Sequence, residues 1–378
     1  MATIPSPSPS PAPARRPRRW PALAALALLG LWAAACAAAA TPRGWAPPVV
    51  SQNNLYLSLE AGRLSAYARE GEGWRFLWRF PGQGDRDLRP QAIYGTPLVT
   101  AESVYFGGYD GSVYALDRAQ GGLRWRFRTQ GPIIAPLALD EARGTLYAAS
   151  DDGRVYALAV SDGSLRPGWP FRSGGGIWGR PLLDRGTLYV ASLDGKLYAL
   201  DAADGQKLWE LDVGAGLVSN PVLAGDTLLV GAADRRLYAV DVSRRSLKWP
   251  TPPRGDNWFW AEPLVAGDTV FAPNLDGTVY ALALADGALR WAFPAQNPLR
   301  ARPLLLAGVL VVVDREGLVY GLDPATGSEA WARQGLMRRV LADPVPLDSQ
   351  ALIASQDGNL FQLDAASGQL RRLDLPRP

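Results

Sequence analysis

The sequence predicts an all-β fold, an eight-bladed β-propeller of four-stranded antiparallel blades, and three observations carry that expectation. A short motif returns eight times at a nearly constant spacing, from a degenerate first copy at Ala61 to DGNLFQLD at Asp357. Each copy consists of short apolar runs separated by turn residues, in a chain with 40 glycines and 32 prolines among 378 residues. Six copies end on a tryptophan at the same place, Trp125, Trp169, Trp209, Trp249, Trp291 and Trp331.

The elements of one copy follow in order. A proline opens it: Pro48, Pro97, Pro136, Pro181, Pro221, Pro263, Pro303 and Pro344. A short apolar strand comes next, then a second such as Ser103-Val104-Tyr105-Phe106-Gly107. An Asp-Gly turn leads into the third strand, because glycine accepts the positive φ of a tight hairpin turn. The third strand carries the motif: DGSVYALD at Asp110, DGRVYALA at Asp152, DGKLYALD at Asp194, DRRLYAVD at Asp234, DGTVYALA at Asp276 and EGLVYGLD at Glu316. In the first copy it reads AGRLSAYA. Aligning Tyr67, Tyr114, Tyr156, Tyr198, Tyr238, Tyr280, Tyr320 and Phe361 gives intervals of 47, 42, 42, 40, 42, 40 and 41 residues. A last turn leads to the fourth strand and its tryptophan. One large flat residue per copy at a fixed place is a packing device between sheets, each removing about 150–250 Å² from water. The Asp-Gly pairs read as turns, since no copy has the dense alternating carboxylates of a calcium loop.

The N-terminus reads differently. Residues 1–35 are a signal peptide with a basic region, Arg15, Arg16, Arg18 and Arg19, followed by an apolar stretch from Pro21 to Ala35. Ala33-Ala34-Ala35-Cys36 is lipobox-like, which makes Cys36 the candidate lipidation site. An uncleaved signal anchor over Leu23 to Ala40 and ordinary cleavage are the alternatives. All three put the following chain outside the cytoplasm, periplasmic or at the cell surface, with lipidation or the anchor holding it to the membrane. Residues 36–45 read as a linker and 46–376 as one propeller domain.

Composition narrows the chemistry. The chain has no histidine, the usual general base and commonest metal ligand. Its single cysteine allows neither an intrachain disulfide nor a cysteine zinc cage. The net charge of +3 belongs to the leader: beyond its four arginines, 35 basic residues face 36 acidic ones. Nothing global favours nucleic acid.

The pattern AxDxxxGxxxW resembles the quinoprotein-type (PQQ-like) propeller repeat. Ala115, Asp117, Gly121 and Trp125 fit it, as do Ala199, Asp201, Gly205 and Trp209. Asp323, Gly327 and Trp331 fit with Gly321 in the alanine position; Ala159 and Ala283 replace the Asp in two copies, and Leu370 replaces the last Trp. The resemblance covers residues 45–376 and implies tryptophans docked between blades. Lipid-anchored eight-bladed propellers of this repeat include the BamB-type outer-membrane assembly lipoproteins, which implies a non-catalytic scaffold for envelope protein partners. Quinone-dependent dehydrogenases share the repeat, but as a family they are longer and carry inserted cofactor and calcium ligands, many with a vicinal disulfide. No catalytic residue, cofactor or metal site is expected here. A propeller binding a small ligand or polysaccharide is the alternative.

In a repeat protein, function sits where the copies differ. The residues three before the opening proline are Tyr94, Ile133, Trp178, Val218, Trp260, Arg300 and Leu341. Those one before it are Thr96, Ala135, Arg180, Asn220, Glu262, Arg302 and Asp343. Period-two alternation points both sets to one side, around one mouth of the central channel. Tyr94, Trp178, Arg180, Trp258, Trp260, Glu262, Arg300 and Arg302 are therefore the candidate partner or ligand site. The competing reading is that they plug the channel and pair with one another. A polar loop, Gly82 to Arg89, is a second irregularity, either solvated or in contact with a partner.

Overall fold

The structure, a computed structural model, describes residues 44–376 apart from Arg86. The expected leader, Cys36 and most of the linker lie outside the described residues. The chain forms eight four-stranded antiparallel sheets, each from four consecutive strands, the first spanning Val49 to Phe80 and the last Val345 to Leu373. Among the described residues there is no helix. The eight-bladed propeller expected from the repeat is the fold observed.

The second blade illustrates the rest. Its strands are Leu98–Val99, Ser103–Gly107, Ser112–Asp117 and Leu123–Arg128. The two central strands are buried nearly throughout, because both faces of a blade meet a neighbouring blade. The outermost strand alternates between exposed and covered positions. Eight apolar clusters result, each shared by two adjacent blades, such as Tyr105, Val113 and Trp125 with Leu146, Ala148 and Tyr156. The ring closes by packing: Leu55, Leu57 and Tyr67 of the first blade meet Leu352, Ala354 and Leu360 of the last. An Arg69–Asp348 ion pair of 2.7 Å crosses the same seam.

The Asp-Gly pairs are turns. Gly111, Gly153, Gly195 and Gly277 have φ between 79° and 91°. Each preceding aspartate also anchors its blade's tyrosine, whose hydroxyl donates to it: Tyr114 to Asp110 at 2.7 Å, Tyr198 to Asp194 at 2.6 Å, Tyr280 to Asp276 at 2.9 Å. Burial first, and then the adjacent carboxylate, push these phenols up, Tyr280 to about 12. They stay protonated and serve as donors.

The tryptophans sit between blades, as the repeat implies. Trp125 Nε1 donates to the Val160 carbonyl of the next blade at 2.9 Å, and Trp331 does the same to Ala365 at 2.9 Å. Trp78 is the first blade's member of this set, donating to Arg118 O at 2.9 Å, and sequence reading had omitted it. Trp169 and Trp209 make no such bond. The Ala202 carbonyl, the acceptor for Trp169 by repeat spacing, takes the Tyr147 hydroxyl at 2.6 Å, and Trp169 Nε1 is buried without a partner.

Two alignments change. Tyr56 pairs with Ala66 as Tyr105 pairs with Ala115, so Ser65 holds the place of Tyr114. Tyr67 falls two residues later, in the closing seam, and the first interval is 49 residues. In the third copy the proline stands one residue early relative to its strand, which begins at Ala138. Ile133 is thereby core and Ile134 takes the channel position.

Candidate functional site

The segment before each innermost strand crosses close to the ring axis. Its central residue is a buried Ala, Gly or Ser in all eight copies, from Ala46 to Ala342. At Gly95 an added Cβ would lie 2.6 Å from the Ala135 carbonyl oxygen of the next blade, so this position must be small for the blades to converge. The residues on either side of it turn to the axis and line a funnel of about 90 Å³ to which every blade contributes.

Of the eight candidate residues, Tyr94, Trp178, Trp260, Glu262 and Arg300 line this funnel directly. Arg180 and Arg302 reach it through Glu262. Trp258 stacks on Trp260, with ring centroids 6.5 Å apart and planes 14° from parallel. Phe259 between them is 1% exposed and packs between blades, so the run alternates, with Phe259 in the core and the two tryptophans on the other side, Trp260 in the funnel wall and Trp258 behind it. Leu88 of the polar 82–89 loop packs against the cluster joining the first two blades, away from the funnel.

The charged groups fall into two classes. Glu262 is a hub, its side chain 9% exposed, with Arg302 Nη1 at 3.0 Å and Arg180 Nη2 at 3.6 Å. Asn220 Nδ2 donates to it at 3.1 Å, while Asn220 Oδ1 accepts the Arg180 backbone N–H at 2.8 Å. Asp343, the counterpart of Asn220, accepts the Arg302 backbone N–H at 2.7 Å. Desolvation pushes its carboxyl up to about 6, with Glu262 adding to the rise and Arg302 and Arg180 opposing it. This part of the ring pairs with itself.

Arg300 does not join that network. Its guanidinium carbon lies 4.2 Å from the Trp45 ring centroid and 4.7 Å from that of Trp260, cation–π distances. The aromatic belt continues on both sides. Trp45 meets Tyr94 at 4.1 Å, and Tyr94 meets Tyr109 edge-on at 5.4 Å. Trp260 meets Trp178 at 5.6 Å, and Trp178 Nε1 donates to Asp151 at 2.7 Å. Sequence reading had missed Trp45 and Tyr109. Trp45 was legible: it stands three before Pro48, the place of Tyr94 before Pro97. Tyr109 carries no such signal, because it lies next to the Asp110 turn and reaches the belt only in three dimensions.

A family model described as the outer membrane protein assembly factor BamB matches residues 30–170, 165–257 and 254–374. The chain belongs to this family. The BamB crystal structure from Moraxella catarrhalis superposes with a TM-score of 0.68 at 18% identity, over 84% of this chain and 93% of that one. The computationally designed Ika8 protein superposes with a TM-score of 0.69 at 16% identity, over 85% and 97%. No curated protein matches the sequence. At such identities the BamB and designed structures share the fold with this chain, and the fold by itself specifies no site.

Proposed function

We propose that this BamB-family propeller is an exported, membrane-tethered, non-catalytic scaffold that docks an envelope protein partner at its funnel mouth, in outer-membrane or envelope protein assembly. The observation that carries the reading is the belt of contacting aromatics around Arg300 at the funnel. Five of the eight blades supply it with Trp45, Tyr94, Trp178, Trp260 and Arg300, the residue types that dominate protein hot spots. The other three blades supply Ile134, Val218 and Leu341. Family membership supports assembly work in the envelope. The basic leader ending at Cys36 supports export and a lipid tether, and the uncleaved anchor leaves the propeller on the same side of the membrane. The lack of histidine supports a role without acid–base catalysis.

The second reading, a small-ligand or polysaccharide site, draws on the same aromatic wall. Family membership, and not the funnel's size, favours a protein partner over it. A quinone-dependent dehydrogenase is the least supported, since the blades carry little inserted chain for a cofactor site. Photo-crosslinkers placed in cells at Trp258 and at Leu208 on the outer rim test the scaffold reading. A partner captured from position 258 and not from 208 is the expected result. Equal capture from both positions would remove the funnel from the proposal.

A further inference from the structure

Arg300 is the funnel arginine without a carboxylate. Arg180 and Arg302 share Glu262, and the Arg302 backbone is held by Asp343. Among the described residues Arg300 makes no ion pair and no hydrogen bond, and its Nε is buried without a partner. Burial pushes its guanidinium below its usual value, but an arginine remains a cation in proteins. A polar group left unpaired away from water is costly, so its retention calls for an explanation.

The surroundings define what would satisfy it. Arg300 lies over the Trp45 and Trp260 rings, its Nε is enclosed, and its two Nη groups have no partner among the described residues and are not buried. Those two groups offer N–H donors in the fork geometry that a carboxylate accepts bidentately. The space beside it, about 90 Å³ at an open mouth, has room for one such head group. Trp178 and Tyr94 supply apolar cover for a stem. We infer that the funnel mouth is a carboxylate receptor, in which Arg300, stacked on Trp45 and Trp260, takes the carboxylate of an acidic side chain or of a chain end presented by a protein partner. This rests on reading the propeller as a scaffold.

Titration calorimetry of the full chain tests it with four blocked probes. N-acetyl-glutamate N-methylamide and N-acetyl-alanyl-alanine carry the two kinds of carboxylate, and the matching glutamine and amide compounds are their neutral controls. At least one acid should bind tenfold or more tighter than its control, and which acid does so tells side chain from chain end. Arg300→Gln should abolish that difference, Arg300→Lys should weaken binding several-fold, and Arg302→Gln should change it less than threefold. Thermal midpoints of the variants guard against unfolding, and Arg300→Lys keeps the test decisive if Arg300→Gln does not fold. Equal binding of acid and control, or equal losses in the Arg300 and Arg302 variants, would overturn the inference. So would binding of glucuronate or inorganic phosphate with neither peptide acid bound. A cellular cross-link at position 258 that survives Arg300→Gln would sink the carboxylate and leave the scaffold standing. A missing cross-link in the unaltered chain would sink the scaffold, while the titration still decides the carboxylate.

Discussion

The indole of Trp125 lies on Gly163 of the following blade, where an added Cβ would come within 2.6 Å of the ring. The relationship repeats around the propeller: Trp169 over Gly205, Trp249 over Gly287, Trp291 over Gly327 and Trp331 over Gly368, with corresponding approaches of 2.5 to 3.1 Å. The glycine and tryptophan of the repeat motif are therefore partners across an interface, each glycine serving the tryptophan of the blade before it. The motif's alanine serves its own blade's tryptophan, as Ala115 pairs with Trp125 in the ladder.

Gly163→Ala should destabilise the protein by about 2–4 kcal/mol, the sum of a left-handed backbone at φ 74° and the clash with the ring. Gly122 is the control. It has nothing within 4 Å of an added Cβ and no positive φ, so Gly122→Ala should change stability by about 0.5 kcal/mol or less. Urea midpoints of the two variants check the comparison, and equal losses would refute the packing account.

The fifth blade breaks the glycine rule twice. Arg235 stands in the Asp-Gly turn with φ 72°, and Arg245 stands in the motif's glycine position with φ 58°. Both side chains are exposed. Arg235→Gly and Arg245→Gly should each raise stability by about 0.5–1 kcal/mol, seen as a higher thermal midpoint. A fall would mean that the arginine side chain contributes more than its backbone conformation costs.

The blade count, the turn positions and the docked tryptophans were legible because each is set by local chemistry repeated at one spacing. Register was less so. In the first copy Tyr67 attracted the alignment as the nearest aromatic, but a strand's facing is fixed by its partner, and Ser65 is what stands opposite the second strand at that place. The Pro136 offset had the same cause. At the funnel, the sequence yielded Trp178, Trp260 and Arg300 as members of one ring. It did not divide Arg180 and Arg302, which close on Glu262, from Arg300, which stacks on Trp45 and Trp260. That division depends on side-chain directions across three blades, which no single copy encodes.

Asp343 gives a pH dependence of definite sign. Its carboxyl is raised to about 6 in the folded chain from 3.8, so between those values the native state holds a proton that the unfolded chain has released. Its contribution to stability is full below about 4 and is lost as pH rises through about 6. Asp343→Asn copies Asn220, its counterpart in the ring, and removes the titration. At pH 7.5 the variant should be more stable than the parent by on the order of 1–2 kcal/mol, with the gap closing toward pH 4.5. Denaturant midpoints across that range check it, and a constant gap would show that Asp343 does not titrate there.

The two classes of tryptophan should separate in one experiment. Trp249 is fully buried between blades, so Trp249→Ala should cost about 3–5 kcal/mol, a large part of a typical stability margin. Trp260 is half-buried at the funnel, where its neighbours are Trp178, Trp258 and Arg300 and its far side faces open space. Trp260→Ala should therefore cost only about 1–2 kcal/mol, mostly from lost ring and cation–π contacts. If the funnel docks a partner, removing a central aromatic should weaken that docking by about 2 kcal/mol or more, some thirtyfold. The measurement pairs the thermal midpoint with cross-linking yield at position 258, at a temperature where each variant is folded. Trp260→Ala should keep its midpoint near that of the parent and lose most of the cross-link, while folded Trp249→Ala should retain it. The opposite pattern, a Trp260→Ala midpoint as low as that of Trp249→Ala with cross-linking reduced only in proportion, would make the aromatic belt a plug that closes the channel.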